Sequence, residues 1–83
     1  MLYFFHLRDG VDVLLDPEGV ELSGPEAIAQ YALKAARSIL GAEAEKGRLP
    51  LYVHLDVEDR TGLLVHQLQF RDALEILSEH TAL

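Results

Sequence analysis

Apolar and polar positions alternate or recur along the chain in four blocks. Tyr3 to Arg8 is rich in aromatic residues, which suit a strand. Asp9-Gly10 then offers a two-residue turn that tolerates positive φ, and Val11 to Leu15 returns. This predicts a first hairpin over residues 1–15. In that register His6 faces Val13 and Phe4 faces Leu15, while Tyr3, Phe5, Leu7 and Leu14 point to the other side. Both faces of the pair are then apolar, as in strands covered twice. Asp16-Pro17-Glu18-Gly19 is a second turn signal, and Val20-Glu21-Leu22 reads as a short third strand.

A helical period follows. Ser23 with Glu26 three residues later forms a capping box, and Pro25 suits a first helical turn, so a helix is predicted over 24–46. Its apolar face is Ile28, Tyr31, Ala32, Ala35, Ile39 and Ala42. A shoulder of Ala29, Leu33, Ala36 and Leu40 widens the stripe beyond what one sheet contact requires. Gly47 is the expected C-cap. Leu51, Val53, Leu55 and Val57 then alternate with Tyr52, His54, Asp56 and Glu58, turn through Asp59-Arg60-Thr61-Gly62, and return through Phe70. That is a second hairpin over 51–70. Pairing Glu58 with Leu63 puts Leu64, His66, Leu68 and Phe70 on the helix-facing side. His66 is expected there, largely buried, neutral and metal-free. Asp72 then caps a short helix over 72–80.

The order β-β-β-α-β-β-α predicts an α+β fold, an antiparallel sheet with one long helix on one face and a short C-terminal helix. At 83 residues, one domain spanning 1–83 is the expectation, with a thin core that a partner surface would reinforce. The helix covers one sheet face. Tyr3, Phe5, Leu7 and Leu14 are left on the other, and the shoulder at Leu33, Ala36 and Leu40 is a second unclaimed surface. An apolar patch of this size points to a homodimer through Tyr3, Phe5, Leu7, Leu14, Leu33 and Leu40.

Charge narrows the partners. Seven basic against 14 acidic residues give a net charge of −7, which repels phosphate backbones and anionic membrane surfaces. With no cysteine there is no disulfide, thiolate zinc site or thiol catalysis. The N-terminus lacks the features of a signal peptide and no apolar run is long enough to span a bilayer, so the cytoplasm is the expected location.

The candidate chemistry is sparse. His6, His54 and His66 lie in predicted strands and His80 in the tail, without a recognised metal-ligand spacing, and His54 and His66 fall on opposite faces. His6 and His66 read as partly buried histidines with a backbone or carboxylate partner. Asp9, Asp12, Asp16, Glu18 and Glu21 sit where turns use carboxylates. No nucleophile motif or glycine-rich phosphate loop is present, and no cofactor is called for.

Several of these residues carry a resemblance. Tyr3-Phe4-Phe5-His6-Leu7-x-Asp9-Gly10, Asp16-x-Glu18-Gly19-Val20-Glu21-Leu22, Ala35-Ala36-Arg37, Val57-x-Asp59-x-x-Gly62 and Phe70-x-Asp72 look like a small bacterial family known as domain of unknown function 6894. Gln69 stands where that family usually has proline. The resemblance implies no chemistry, and the motif residues read mainly as turn and cap residues. The functional expectation is a non-catalytic, self-associating protein-interaction module. Two alternatives stay open: an antitoxin-like or regulatory partner domain, from a strand and helix order similar to toxin-neutralising domains of the HicB kind, and a small enzyme using His6 or His66 with nearby carboxylates.

Overall fold

A computed structural model describes residues 1–78. The fold is α+β, with β1 (Leu2–Asp9), β2 (Asp12–Leu14), β3 (Val20–Glu21), α1 (Pro25–Glu45), β4 (His54–Glu58), β5 (Leu64–Gln69) and a 3-10 helix (Phe70–Ala73). The strands form one antiparallel sheet in the order β2-β1-β4-β5, with β3 pairing the start of β1. β1 is thus the central strand.

The first hairpin turns one residue later than expected. Asp9 pairs with Asp12, Arg8 with Val13 and Leu7 with Leu14, leaving Gly10 and Val11 as the loop with Gly10 at φ +60°. His6 therefore does not face Val13. The slip moves the pairing by two positions and leaves every side chain on its expected face, because the strand period is two. The second hairpin also shifts: Val57 pairs with His66 and, across a bulge, Glu58 pairs with Leu64 rather than Leu63, so Leu64 lies on the Glu58 side and not on the expected helix-facing side. Its first strand begins at His54, because Leu51 and Tyr52 form a turn.

The larger correction is which face of β1 meets the helix. Phe5 pairs with Val57 and Leu7 with Leu55, and these odd-numbered residues point toward α1. Tyr3 is buried with Ile28 and Val57. The expected exposed patch of β1 is in fact the core side. The opposite face carries Phe4, His6 and Arg8 opposite Glu58, Asp56 and His54, so it is polar rather than apolar.

The helix is rotated relative to its expected seat. Ile28, Ala32, Ala36 and Leu40 are buried, whereas Tyr31 and Ala42 are exposed. The cause lies after β5. Phe70 donates its N–H to the Val53 carbonyl at 2.9 Å, and Arg37 Nε donates to the Ala73 carbonyl at 2.8 Å. This draws Phe70 and Ala73, both fully buried, under the Ala36–Leu40 flank. The shoulder is thereby claimed from within the chain: Leu40 is in the core and Leu33 packs against it. The Tyr31–Ala35–Ile39 row is left on the other flank. A four-residue 3-10 helix stands in place of the expected 72–80 helix, with Asp72 inside it rather than capping it. Residues 79 and 80 of that expected helix lie outside the described residues.

The helix ends fall within one residue of expectation, but the cap differs. Gly24 is the N-cap, its carbonyl accepting from the Ile28 N–H at 3.0 Å, and Ser23 makes no capping bond. Pro25 occupies the first turn, where its missing N–H costs nothing.

Two glycines separate backbone demand from open space. Gly19 has φ +76°, and an added Cβ would lie 3.0 Å from Leu2 Cγ, Phe4 Cε2 and the Tyr3 carbonyl oxygen. Gly41 lies within α1 with nothing within 4 Å of an added Cβ. Gly19→Ala will destabilise the fold by about 1–3 kcal/mol, whereas Gly41→Ala will stabilise it by about 0.5–1 kcal/mol. Urea unfolding of the two variants should give midpoint shifts of opposite sign.

Candidate functional site

The segment joining β2 to β3 builds the most distinctive local geometry. β1 pairs with β2 through Leu7–Asp9 and with β3 through Leu2 and Tyr3. Between them the Phe5 N–H has no strand partner, and the Asp16 carboxylate takes that place, with Oδ2 3.1 Å from the Phe5 nitrogen. Its other oxygen accepts from the Glu18 and Gly19 N–H groups at 3.2 and 3.1 Å. The Asp16 N–H in turn donates to His6 Nδ1 at 3.1 Å. Burial alone would push the Asp16 carboxyl up; the N–H groups of Phe5, Gly19 and Glu18, with His6 nearby, outweigh it and hold the carboxyl below its ordinary value.

His6 itself is buried, 9% exposed. Its Nε2 lies 3.4 Å from Glu58 Oε1, and its ring stacks on Phe4 with centroids 6.4 Å apart. His6 thus has both a backbone and a carboxylate partner, as its place in an apolar strand suggested. His66 is only partly buried, on the Val57 side and so on the opposite face of the sheet from His6. The two histidines cannot share a site. Among the described residues no group of three or more His, Asp or Glu side chains is placed to hold a metal ion. His80 lies outside the described residues.

Beside His6 the polar face continues as a network that the sequence reading missed. Asp56, 7% exposed, pairs with Arg8, accepts from Gln67 Nε2 at 2.7 Å and lies 3.5 Å from His54 Nε2. Burial pushes its carboxyl up, but Gln67, Arg8 and His54 together hold it below the ordinary value. The available signal was cross-strand register: alternation puts Arg8 and Asp56 on one face, but only correct pairing of β1 with β4, 48 residues apart, brings them together. The network satisfies itself, and none of its residues lines the groove on the helix side of the sheet.

On the helix side a groove of about 520 Å³ runs between α1 and the β2–β3 edge. Tyr31, Ala35 and Ile39 form one wall, Phe5 and Leu7 the floor, and the chain from Leu14 to Val20 the other wall. Leu14 and Leu15 are 69% and 64% exposed on this rim, and Val11 at the hairpin tip is 97% exposed. The expected interface set therefore divides. Leu14 is exposed, Phe5 and Leu7 lie partly buried in the groove, and Leu33 packs against the core. Tyr3 and Leu40, 8% and 2% exposed, are core residues and present no surface.

Fold and groove together define a small α+β domain with one helix-covered sheet face, one polar face and an apolar groove along an open edge. The chain matches the family model "Domain of unknown function (DUF6894)" over residues 2–71 and belongs to that family. No curated protein and no solved structure matches it. Within the matched span, His6 is tied to the Asp16 backbone, Gly10 and Val11 form the first hairpin loop, and the Asp16 carboxylate completes the β1 edge. No helix of the described residues is long and apolar enough to cross a membrane.

Removing the Asp16 carboxylate leaves the half-buried Phe5 N–H without an acceptor, so Asp16→Ala will cost about 2 kcal/mol. The folded carboxyl lies below its unfolded value near 3.8, so its contribution is fully present above that value and is lost as the pH falls through the folded one. Chemical denaturation of wild type and variant should show a stability gap that is constant near neutrality and narrows below about pH 4. A gap that widened in acid would contradict the assignment.

Proposed function

We propose that this domain is a non-catalytic protein-interaction module that self-associates, with the groove between α1 and the β2–β3 edge as its docking surface. The observation that carries the reading is the exposed apolar row Val11, Leu14 and Leu15 beside a groove already walled by Tyr31, Ala35 and Ile39. Contiguous apolar surface and an open strand edge are both features that soluble chains cover.

A second copy is the occupant that fits. The groove's two walls differ in charge: Asp16 and Glu18 belong to the strand-side wall, and Lys34 lies beyond the helix row. A two-fold axis along the groove sets each copy's strand wall over the other's helix row. Leu14 and Leu15 then meet Tyr31, Ala35 and Ile39, and Lys34 meets the acidic wall. Such an interface is isologous, as in the commonest homo-oligomers. The non-catalytic reading is supported by the polar face: both ring nitrogens of His6 already have partners, and Asp56 is engaged by Arg8 and Gln67. The net charge of −7 disfavours a nucleic-acid partner.

Sedimentation at high micromolar concentration should give a dimer of the 9.3 kDa chain. Leu14→Glu, at a solvent-exposed position, should shift it to monomer, while Leu63→Glu, equally exposed in the other hairpin, should not. A wild-type monomer at that concentration overturns self-association. The occupant would then be a basic partner protein suited to the acidic wall, in the antitoxin-like arrangement.

A further inference from the structure

We propose that His6 is a proton-operated latch on the strand-side wall of this groove, so that the groove's shape, and docking with it, respond to pH. The inference rests on the docking reading above for its consequence, but not for its mechanism.

The wall from Asp16 to Gly19 is tied to the edge of β1 by two side-chain bonds through Asp16, whose carboxylate accepts from the Phe5 N–H and whose N–H donates to His6 Nδ1, both at 3.1 Å. The second bond needs a lone pair on Nδ1. A neutral ring making it carries its proton on Nε2, toward Glu58 Oε1 at 3.4 Å. A proton added at Nδ1 sets two donors against each other, and the Asp16 N–H loses its acceptor. The ring has little room to turn away: it is 9% exposed, stacks on Phe4, and sits opposite Asp56 across the strand pair. The wall lies outside it and is the part that yields.

The charged groups around His6 decide what replaces the lost bond. β4 contributes Glu58 at Nε2 and Asp56 as the cross-strand neighbour, the latter already paired with Arg8 of β1. The β2–β3 connection carries the exposed Glu18 and the Asp16 carboxylate, and the latter remains ionised through the histidine range because its surroundings hold it below its ordinary value. An imidazolium therefore finds Glu58 on one side and can draw the Asp16 carboxylate to the other. In every such arrangement the Asp16 N–H remains released. The sign is fixed: the wall is latched when His6 is neutral and loosens as the pH falls.

The test is residue-resolved NMR of the labelled full chain between about pH 8 and pH 5, the span in which histidines as a class change charge. In the neutral state the His6 ring should carry its proton on Nε2 and show an unprotonated Nδ1. As the ring titrates, the Asp16 amide should shift and lose hydrogen-exchange protection with the same midpoint. His6→Asn places a carbonyl oxygen near the Nδ1 position and cannot take up the proton; its Asp16 amide should stay protected throughout. Sedimentation over the same range should show the wild-type dimer weakening by roughly fivefold, on the scale of one net hydrogen bond, and the variant unchanged. A neutral His6 protonated on Nδ1, or an Asp16 amide indifferent to the ring's midpoint, overturns the latch, and both readings come from the wild type alone. Coupled His6 and Asp16 signals in a chain that is monomeric at every pH uphold the latch and overturn the docking reading. A dimer whose affinity ignores a titrating latch overturns the regulation.

Discussion

The structure turns on a shortage of strand along one edge of β1. On its other edge, β4 runs alongside Phe4 to Arg8 without interruption. On this edge the described residues supply only the three of β2 and the two of β3. A buried or half-buried N–H without a partner is costly, so the gap between them has to be closed by something other than backbone. Asp16 closes it at Phe5, and the same residue shapes the turn to Gly19 and leans on His6. One carboxylate thus joins a local turn, a sheet edge and a buried histidine. The groove's strand-side wall exists because that repair lies beside the sheet rather than in it.

The opposite wall of the groove follows from competition for the helix. Its apolar stripe is wide enough to satisfy two neighbours, and the segment after β5 claims one flank through Phe70 and Ala73. Small residues at Ala32 and Ala36 let the helix sit closely on the sheet, and both are fully buried. The remaining flank, Tyr31 to Ile39, overhangs a short edge strand that cannot fill the space beneath it. An apolar groove is the geometric remainder of a helix seated toward β4 and the 3-10 helix.

The polar face obeys a different constraint. Asp56 is a nearly buried carboxylate on the side of the sheet that no helix of the described residues covers. It is tolerated because Arg8 and Gln67 reach it from both neighbouring strands. Truncating one partner would leave a buried charge underpaired, a larger loss than the pair's own contribution. Such a network ties β4 to both neighbouring strands, and it specifies register, because a slip of one residue would carry Asp56 into the core.

The sequence by itself determined the five strands and the long helix, but not the C-terminal element, where a 3-10 helix over Phe70–Ala73 replaces the helix expected over 72–80. Alternation marked the strands, the 3.6-residue period marked α1 to within a residue at each end, and Asp, Gly and Pro marked the turns, because all of these depend on interactions within a few residues. It also determined that His6 would need a polar partner. Tertiary structure alone decided which face of β1 is the core. Both faces of that strand are apolar enough to serve, and the choice was made by β4, whose polar positions His54, Asp56 and Glu58 require the same side as His6 and Arg8. It likewise decided the rotation of α1, since a broad stripe has no preferred centre until Phe70 packs against one flank. The interface set misread Tyr3 and Leu40 for that reason: periodicity states which residues share a face, while burial depends on what the rest of the chain brings to it.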